Sequence, residues 1–337
     1  MTLIRAGVSL TAHNTLGFVS EAEWFAAPRT LEECKAVLTE ARERDLPITV
    51  LGGGSNVILS PHVAGLVIVP AMTAVHYADA QSGCVRVYAE AGVEWPSLVV
   101  EATAKGLWGI ENLALIPGHC GAAPVQNIGA YGVELADVIA AVHVLHFDGR
   151  EETLSAPQAA FGYRDSVFKH ALAGRCLITA IELVLRTHAA PKLAYGDLAS
   201  RVTQPCTPSD VAAAVSAVRR EKLPDPRELG NAGSFFKNPV VPRAHADALL
   251  KQHTAMPHFT VNDNEVKVPA AWLIDQCGFK GATYGTVGVH DRQALVLVNR
   301  GGGDADALMA LAERIQQRVS AQFGIMLEPE PRRIGQV

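Results

Sequence analysis

The chain predicts a soluble, loop-rich α/β protein of at least two domains, and three observations carry that expectation. At 337 residues it exceeds one typical compact domain and suffices for two or three, each with a sizeable core. It is 49% hydrophobic and 19% charged, with 29 Gly and 19 Pro, which supplies both a core and many loops and argues against disorder. Strand-like and helix-like periodicities alternate along it from the first 70 residues onward.

Thr30 and Glu33 form a capping-box pair, and Leu31, Cys34, Leu38 and Ala41 recur on one face, so a helix is expected from Thr30 to about Arg44. Pro47 punctuates. ITVL at 48–51 reads as a buried strand running into GGGSN at 52–56, and VILS at 57–60 and GLVIVP at 65–70 continue the β pattern, giving a small β-α-β-β unit. Beyond Tyr88 a strand, a turn and a helix starting near Pro96 are expected, because proline suits the first helical turn. IPGHCGAAPVQNIGAYG at 116–132 is too rich in Gly and Pro for a regular element, and loops of that length in compact domains are usually functional.

A hairpin turning at Asp148–Gly149 and a buried strand in CLITAIELVLRT at 176–187 follow. Ser209–Asp210 are expected to cap a helix over VAAAVSAVRREK, which LPDP breaks, and a domain boundary is placed near 224. The final third is expected to hold helices in PRAHADALLKQH, in AAWLIDQCGF up to Gly278, and from about Asp304 to Phe323, with a strand in ALVLVN at 294–299. The last helix spaces Leu308, Leu311, Ile315, Val319 and Phe323 three or four apart, and Gly324 ends it.

Composition excludes several classes. A net charge of -5 without a basic stripe offers no footprint for nucleic acid. The N-terminal MTLIRAGVSLTAHNT lacks a basic, then apolar, leader pattern, and no stretch of about 18 apolar residues follows, so no membrane partner and a cytoplasmic location are expected. Cysteines 34, 84, 120, 176, 206 and 277 form no C-x-x-C pair, and His143 and His146 fall on opposite faces of their strand, so no metal site is expected.

Two loops and one serine carry the candidate chemistry. LGGGSN follows a strand but precedes VILS, so neither the dinucleotide fingerprint nor a Walker loop is present, each of which opens a helix. Three successive glycines can still form a backbone nest for a pyrophosphate, or simply a tight connection. In 116–132, Gly118, Gly121, Gly129 and Gly132 allow a ligand close to the backbone, and Gln126 and Asn127 add side-chain hydrogen bonds; one long surface loop is the plainer alternative. In GNAGSFFKNP at 230–239, Ser234 lies between Gly233 and two phenylalanines, as a nucleophile, phosphate ligand, proton donor or turn residue would. GNAGSFF is not a G-x-S-x-G elbow, and no histidine lies nearby in sequence to activate the hydroxyl.

GGGSN, PGHCGAAPVQNIGAYG, GYRDSVFK at 162–169, KLPDP, GNAGSFFKNP and the terminal LEPE together resemble the UDP-N-acetylenolpyruvoylglucosamine reductase family, over nearly the whole chain and in the family's order and spacing. YGDL at 195–198 is similar to the substrate-covering loop of its longer form. The resemblance implies an α+β fold of the vanillyl-alcohol-oxidase type: FAD-binding subdomains at 1–70 and 71–223, a substrate-binding domain at 224–325, and a C-terminal strand in 326–337 returning toward the active site. It implies a monomeric flavoenzyme with noncovalent FAD, NADPH as co-substrate, and a UDP-sugar enolpyruvyl ether as substrate. Hydride goes from flavin N5 to C3, and a proton then arrives at C2.

The resemblance assigns that proton to Ser234. An alkyl hydroxyl is a poor acid toward ordinary groups, but a carbanion is basic enough to take its proton. Arg164 is implied to fork onto the substrate carboxylate, with Glu330 orienting it or stabilising the enolate; Glu328, two residues earlier, could be mistaken for Glu330. Tyr163, Tyr195, Lys222, Asn238 and Gln293 are implied to bind the substrate. Gly52, Gly53, Gly54, Ser55, Asn56, Pro117, Gly118, Gly121, Ala122, Asn127, Gly129 and Arg219 are implied to bind the cofactor. His119, Cys120 and Pro331 depart from the usual family residues, and GGGSN lacks a histidine for covalent flavin. Two rivals remain: an oxygen-using sugar or lactone oxidase of the same fold, and a nucleotide-sugar binding protein without redox chemistry.

Overall fold

The computed structural model describes residues 3–335; the ends of the 1–70 and 326–337 segments, Met1, Thr2, Gln336 and Val337, lie outside the described residues. The chain divides into two compact units, and the division does not follow chain order. The first comprises residues up to Val8, Ala22–Gly54 and Ala64–Glu221; the second comprises Ser9–Glu21, Ser55–Val63 and everything from Lys222. The expected boundary near 224 falls close to the last crossing, but segments 9–21 and 55–63 lie outside the unit that a 1–70 subdomain would assign them to.

In the first unit, helix α1 (Leu31–Glu43) begins with the Thr30 hydroxyl accepting from the Glu33 amide at 3.1 Å. The Glu33 carboxylate reaches the Arg29 amide, one residue before the cap, at 2.6 Å. A four-stranded sheet runs in the order Arg5–Ser9, Glu21–Ala26, His62–Ile68, Ile48–Val50. Ile48–Val50 is therefore an edge strand, half-exposed where a buried one was expected, and two strands precede α1 that no periodicity had marked.

A five-stranded antiparallel sheet follows, in the order Glu151–Ser155, Ile139–His146, Cys176–Arg186, Cys84–Glu90, Val75–Tyr77. Cys176–Arg186 sits at its centre, which is why its apolar run is so long. Its Ile181, Leu183 and Leu185 join a core with Trp95, Leu98 and Val99 of α2 (Trp95–Ala104) and Val211 and Val215 of α3 (Pro208–Lys222). Of the expected Ser209–Asp210 cap of α3, Asp210 takes part: it exchanges hydrogen bonds with Thr207 across Pro208, and Thr207 stands in for Ser209. His143 binds Glu182 and His146 binds Glu152, so each is held by a different carboxylate.

In the second unit, Gly230–Ser234, Val296–Asn299, Val287–Val289 and Thr283–Tyr284 form an antiparallel sheet. Its core takes Phe235 and Phe236 together with Leu308, Leu311, Ile315, Val319 and Phe323 of α6 (Ala305–Phe323), which α4 (Arg243–Gln252) and α5 (Ala270–Gln276) precede. Leu16, Phe18 and Ile58 from the early segments complete it. Val57–Leu59 pairs in parallel with Arg332–Ile334, which brings the end of the chain beside the residues after the first glycine loop.

Candidate active site

The two glycine-rich segments meet within the first unit. A Cβ added to Gly52 would lie 2.8 Å from the Ala122 Cβ, and one added to Gly53 would lie 2.9 Å from the Gly118 Cα. Gly53 meets backbone and Gly52 meets a side-chain methyl, so the glycines are a condition of the contact. Gly54 continues the turn at φ +63°. Behind this contact, 118–121 runs beside 91–95: Trp95 donates to the Gly118 carbonyl, Cys120 to Val93, and Gly121 to Ala91 at 2.9 Å. Gly121 fits so closely that its Cβ would fall 2.6 Å from that of Ala91.

The loop is strained as well as crowded. Leu115, Asn127 and Tyr131 all have positive φ, at 60°, 45° and 50°, a conformation disfavoured for side-chain-bearing residues and concentrated at functional sites. Asn127, expected to offer its amide to the cofactor, is fully buried and spends it inside the protein. Its Nδ2 donates to Glu134 at 2.8 Å and to the Gly162 carbonyl at 2.9 Å, and its Oδ1 accepts from the Ala136 amide. Asn127 thus fastens the glycine loop to the GYRD turn.

That turn carries Arg164, itself at φ +56°. Its Nη2 donates to the Gly129 carbonyl at 2.8 Å, and its guanidinium lies 5.4 Å from the ring centre of Tyr163. On α3, Arg219 has a fully enclosed Nε with no hydrogen-bond partner. Burial lowers the pKa of its guanidinium; Tyr131 opposes that effect and the Arg164 charge adds to it. Arg219 is half-buried overall, and an enclosed donor without a partner is costly until something accepts from it. Pro117 is exposed at the loop's edge. Tyr195, also exposed, rests edge-on against Tyr131 with ring centres 5.6 Å apart.

The second unit holds Ser234, the expected proton donor. Ser234 ends its strand directly after Gly233 at φ +70°, and the ladder to Val296–Asn299 is irregular between Asn231 and Ser234. Ser234 is exposed, while Phe235 and Phe236 behind it are each 1% exposed, packed edge-on at 5.1 Å. The kink points a polar atom outward from a backbone anchored by two buried rings. Residues 328–330 run alongside: Lys237 donates to the Glu328 carbonyl and Glu330 to the Phe235 carbonyl, both through backbone amides, at 2.9 and 2.8 Å.

Glu328 and Glu330 are distinguished by their surroundings. Glu328 is exposed and ion-paired with Lys237, whereas Glu330 is half-buried. Asn56 holds Glu330 from the other side, its Nδ2 donating to the Glu330 carbonyl at 3.3 Å and its own carbonyl accepting from Arg332 at 3.2 Å. Ser55 and Asn56 thus belong to the second unit, although Gly52–Gly54 of the same motif belong to the first. Asn238 accepts from the Ala270 amide at 2.9 Å, Gln293 accepts from Leu295, and Lys222 is exposed as the last residue of α3.

Comparison with known proteins agrees with both halves. Residues 22–155 match the FAD binding domain family, and residues 225–334 match the C-terminal domain of UDP-N-acetylenolpyruvoylglucosamine reductase. The reductase of that name from Chromobacterium violaceum is 48% identical over 339 residues, covering 98% of this chain and 99% of the relative; that from Neisseria gonorrhoeae is 44% identical, covering 98% and 97%. This chain belongs to the UDP-N-acetylenolpyruvoylglucosamine reductase family. The solved UDP-N-acetylenolpyruvylglucosamine reductase of Thermus caldophilus superimposes with a TM-score of 0.69 at 26% identity, covering 98% of this chain and 99% of the other.

The first unit fits the flavin nucleotide that family membership implies. The Gly52–Gly53 backbone is packed where no side chain would fit, and the enclosed, unpaired Nε of Arg219 suits a phosphoryl oxygen. Two residues of this family member escaped the sequence reading, Asn112 and Tyr131. Fully buried Asn112 donates to the Tyr131 carbonyl at 2.9 Å and to that of Lys192 at 2.8 Å, tying the glycine loop to the segment that leads to Tyr195. Tyr131 stands inside the GAYG of the loop, and its aromatic ring among small residues was the available signal.

Proposed function

We propose that Ser234, Arg164 and Glu330 carry the reduction of the enolpyruvyl ether of UDP-N-acetylglucosamine to UDP-N-acetylmuramate. The chain is an FAD-dependent oxidoreductase of peptidoglycan precursor synthesis, with NADPH as co-substrate, that acts on a small-molecule UDP-sugar. Bound FAD, held by the two glycine loops, would supply to C3 of the enolpyruvyl double bond the hydride that NADPH provides on becoming NADP+.

Ser234 gives its proton to C2 and regains one from water, so the double bond gains one hydride and one proton in all. Arg164 pairs with the substrate carboxylate, into which the negative charge spreads, and Glu330 orients that carboxylate. Tyr195, Lys222, Asn238 and Gln293 bind the substrate's nucleotide half, and Tyr163 also binds the substrate. Gly52–Gly54, Ser55, Asn56, Pro117, Gly118, Gly121, Ala122, Gly129 and Arg219 hold the cofactor, and Asn127 acts as a positioning residue. In this reading 1–70 and 71–223 serve FAD, apart from the early segments that support Ser234 and Glu330, and 224–325 serves the substrate, with 326–337 returning Glu330. The enzyme works as a cytoplasmic monomer; among the described residues no helix is long and apolar enough to cross a membrane.

The observation that carries the reading is the exposed Ser234 hydroxyl, presented by a left-handed Gly233 and backed by two buried phenylalanines. The purified protein is expected to be yellow, to bleach anaerobically with NADPH and to regain its colour when the enolpyruvyl nucleotide is added. A colourless protein after reconstitution with FAD, or reoxidation by oxygen alone, sinks the proposal. Glu328→Gln alters an exposed carboxylate that takes no part in the reaction, so turnover is expected to change by less than about ten-fold. Glu330→Gln is expected to slow turnover by about 100-fold, as losses of transition-state stabilisers do. Steady-state rates of the two variants check the assignment, and equal effects would contradict it.

A further inference from the structure

We propose that the second unit carries a separate site for a small phosphomonoester with a flat apolar body, of nucleoside monophosphate size, at Arg314 and Arg318. An open cavity of about 450 Å³ lies beside α6, lined by Cys277, Phe279, Tyr284, Arg314, Gln317, Arg318 and Ala321. That volume is in the range of small-molecule sites. None of the residues so far placed in the reaction lines it.

The lining holds two guanidiniums and no carboxylate. Among the described residues neither arginine has an ion-pair partner, although this surface is otherwise laced with pairs such as Lys280–Asp275. The two stand one helical turn apart on the same face, a like-charge arrangement that costs stability without a shared counter-ion. The last turn of α6 carries no basic residue, so the helix dipole accounts for neither arginine, and it does not require a cavity. Arg314 is further held over the Tyr284 ring, 5.0 Å from its centre, which fixes its planar fork.

The chemistry of the occupant follows from this lining. Two adjacent positive charges are neutralised by a dianion, and a phosphomonoester carries nearly two charges at neutral pH where a single carboxylate carries one. Guanidinium forks match phosphoryl oxygens in pairs. Gln317 adds amide donors and acceptors, and Phe279, Tyr284 and Ala321 supply an apolar wall for a flat body.

Cys277 lies in the cavity and provides a local reporter that ligand bound elsewhere on the enzyme would not move. Burial raises its thiol pKa, with Arg318 opposing, so alkylation by iodoacetamide is followed above neutral pH and located by peptide mass mapping. On the FAD-loaded enzyme, saturating adenosine 5′-monophosphate is expected to slow labelling of Cys277 by about ten-fold while leaving Cys84 and Cys206 unchanged. An R314Q/R318Q double variant, exposed on α6 and outside the reaction machinery, should keep full turnover and lose the protection. No slowing, slowing that persists in the double variant, or equal slowing at all three cysteines overturns the proposal. Protection by inorganic phosphate as strong as that by the nucleotide overturns the flat-bodied ligand and assigns the site to free phosphate.

Discussion

Replacing Ser234 with alanine will separate the two half-reactions of this enzyme. Reduction of the flavin by NADPH, followed by stopped-flow absorbance, is expected to keep nearly its parental rate, because the hydroxyl takes no part in it. Reoxidation by the enolpyruvyl nucleotide is expected to slow by 10³-fold or more, at about the upper range for loss of a positioned proton donor. The separation follows from the local structure: the side chain is exposed, while the backbone is fixed by Phe235 and Phe236 and by the Phe235 amide on the Leu295 carbonyl at 2.7 Å. Removing one exposed oxygen leaves those anchors in place, so the melting temperature should not move. Ser234→Cys retains a proton on a comparable atom and should recover part of the rate. Equal loss in both half-reactions would make Ser234 a structural residue and end the assignment.

Gly121→Val is expected to cost the protein both stability and colour. Its first added carbon alone would fall 2.6 Å from the Ala91 Cβ, 3.0 Å from the Ala91 Cα and 3.2 Å from the Ala91 carbonyl oxygen, and backbone cannot yield as a side-chain tip can. Overpacking of this kind costs about 1–3 kcal/mol, and the extra methyls of valine place this case at or above the upper end. The loop would have to lift from 91–95, taking with it the Gly118 and Ala122 backbone that meets Gly53 and Gly52. FAD content after purification is therefore expected to fall with the melting temperature. Gly106→Ala is the control: Gly106 has φ +75° but nothing within 4 Å of an added Cβ, so only backbone strain of about 1–2 kcal/mol applies, and FAD should remain. A Gly121→Val protein that keeps its flavin would show that the close contact is not what shapes the cradle.

The elements most legible in the sequence were those whose pattern is local. Helix α6 announces itself through Leu308, Leu311, Ile315, Val319 and Phe323, all of which are buried, and through Asp304 and Gly324 at its ends. The central strand Cys176–Arg186 is legible because neighbours pair along both its edges and most of its apolar residues are buried. Arg5–Ser9 and Glu21–Ala26 are not, since RAGVS and EAEWFA alternate weakly and become strands only by pairing with distant segments. The allocation of 9–21 and 55–63 to the second unit rests on the same kind of remote pairing, such as Val57–Leu59 with Arg332–Ile334, and nothing near residue 57 encodes it.

At the candidate site, residue types could be read but their states could not. GNAGSFF marks a kinked, anchored serine, yet whether the hydroxyl faces in or out depends on a ladder irregularity that sequence does not specify. Asn127 reads equally well as a ligand donor or a loop fastener until its three partners are seen. For Arg219 the decisive fact is the absence of a partner at Nε, which only coordinates can reveal.

The chain passes between its two units after Val8, Glu21, Gly54, Val63 and Glu221, so the second unit cannot be completed until almost the whole polypeptide has left the ribosome. During synthesis Leu16, Phe18 and Ile58 must wait with their apolar surface unmatched, while the five-stranded sheet between them and their eventual neighbours already has all its strands. A fragment starting at Lys222 would lack those three side chains and should aggregate, and adding residues 9–21 and 55–63 as separate peptides should restore solubility. Nascent-chain association with a chaperone is accordingly expected to persist until the helix ending at Phe323 emerges.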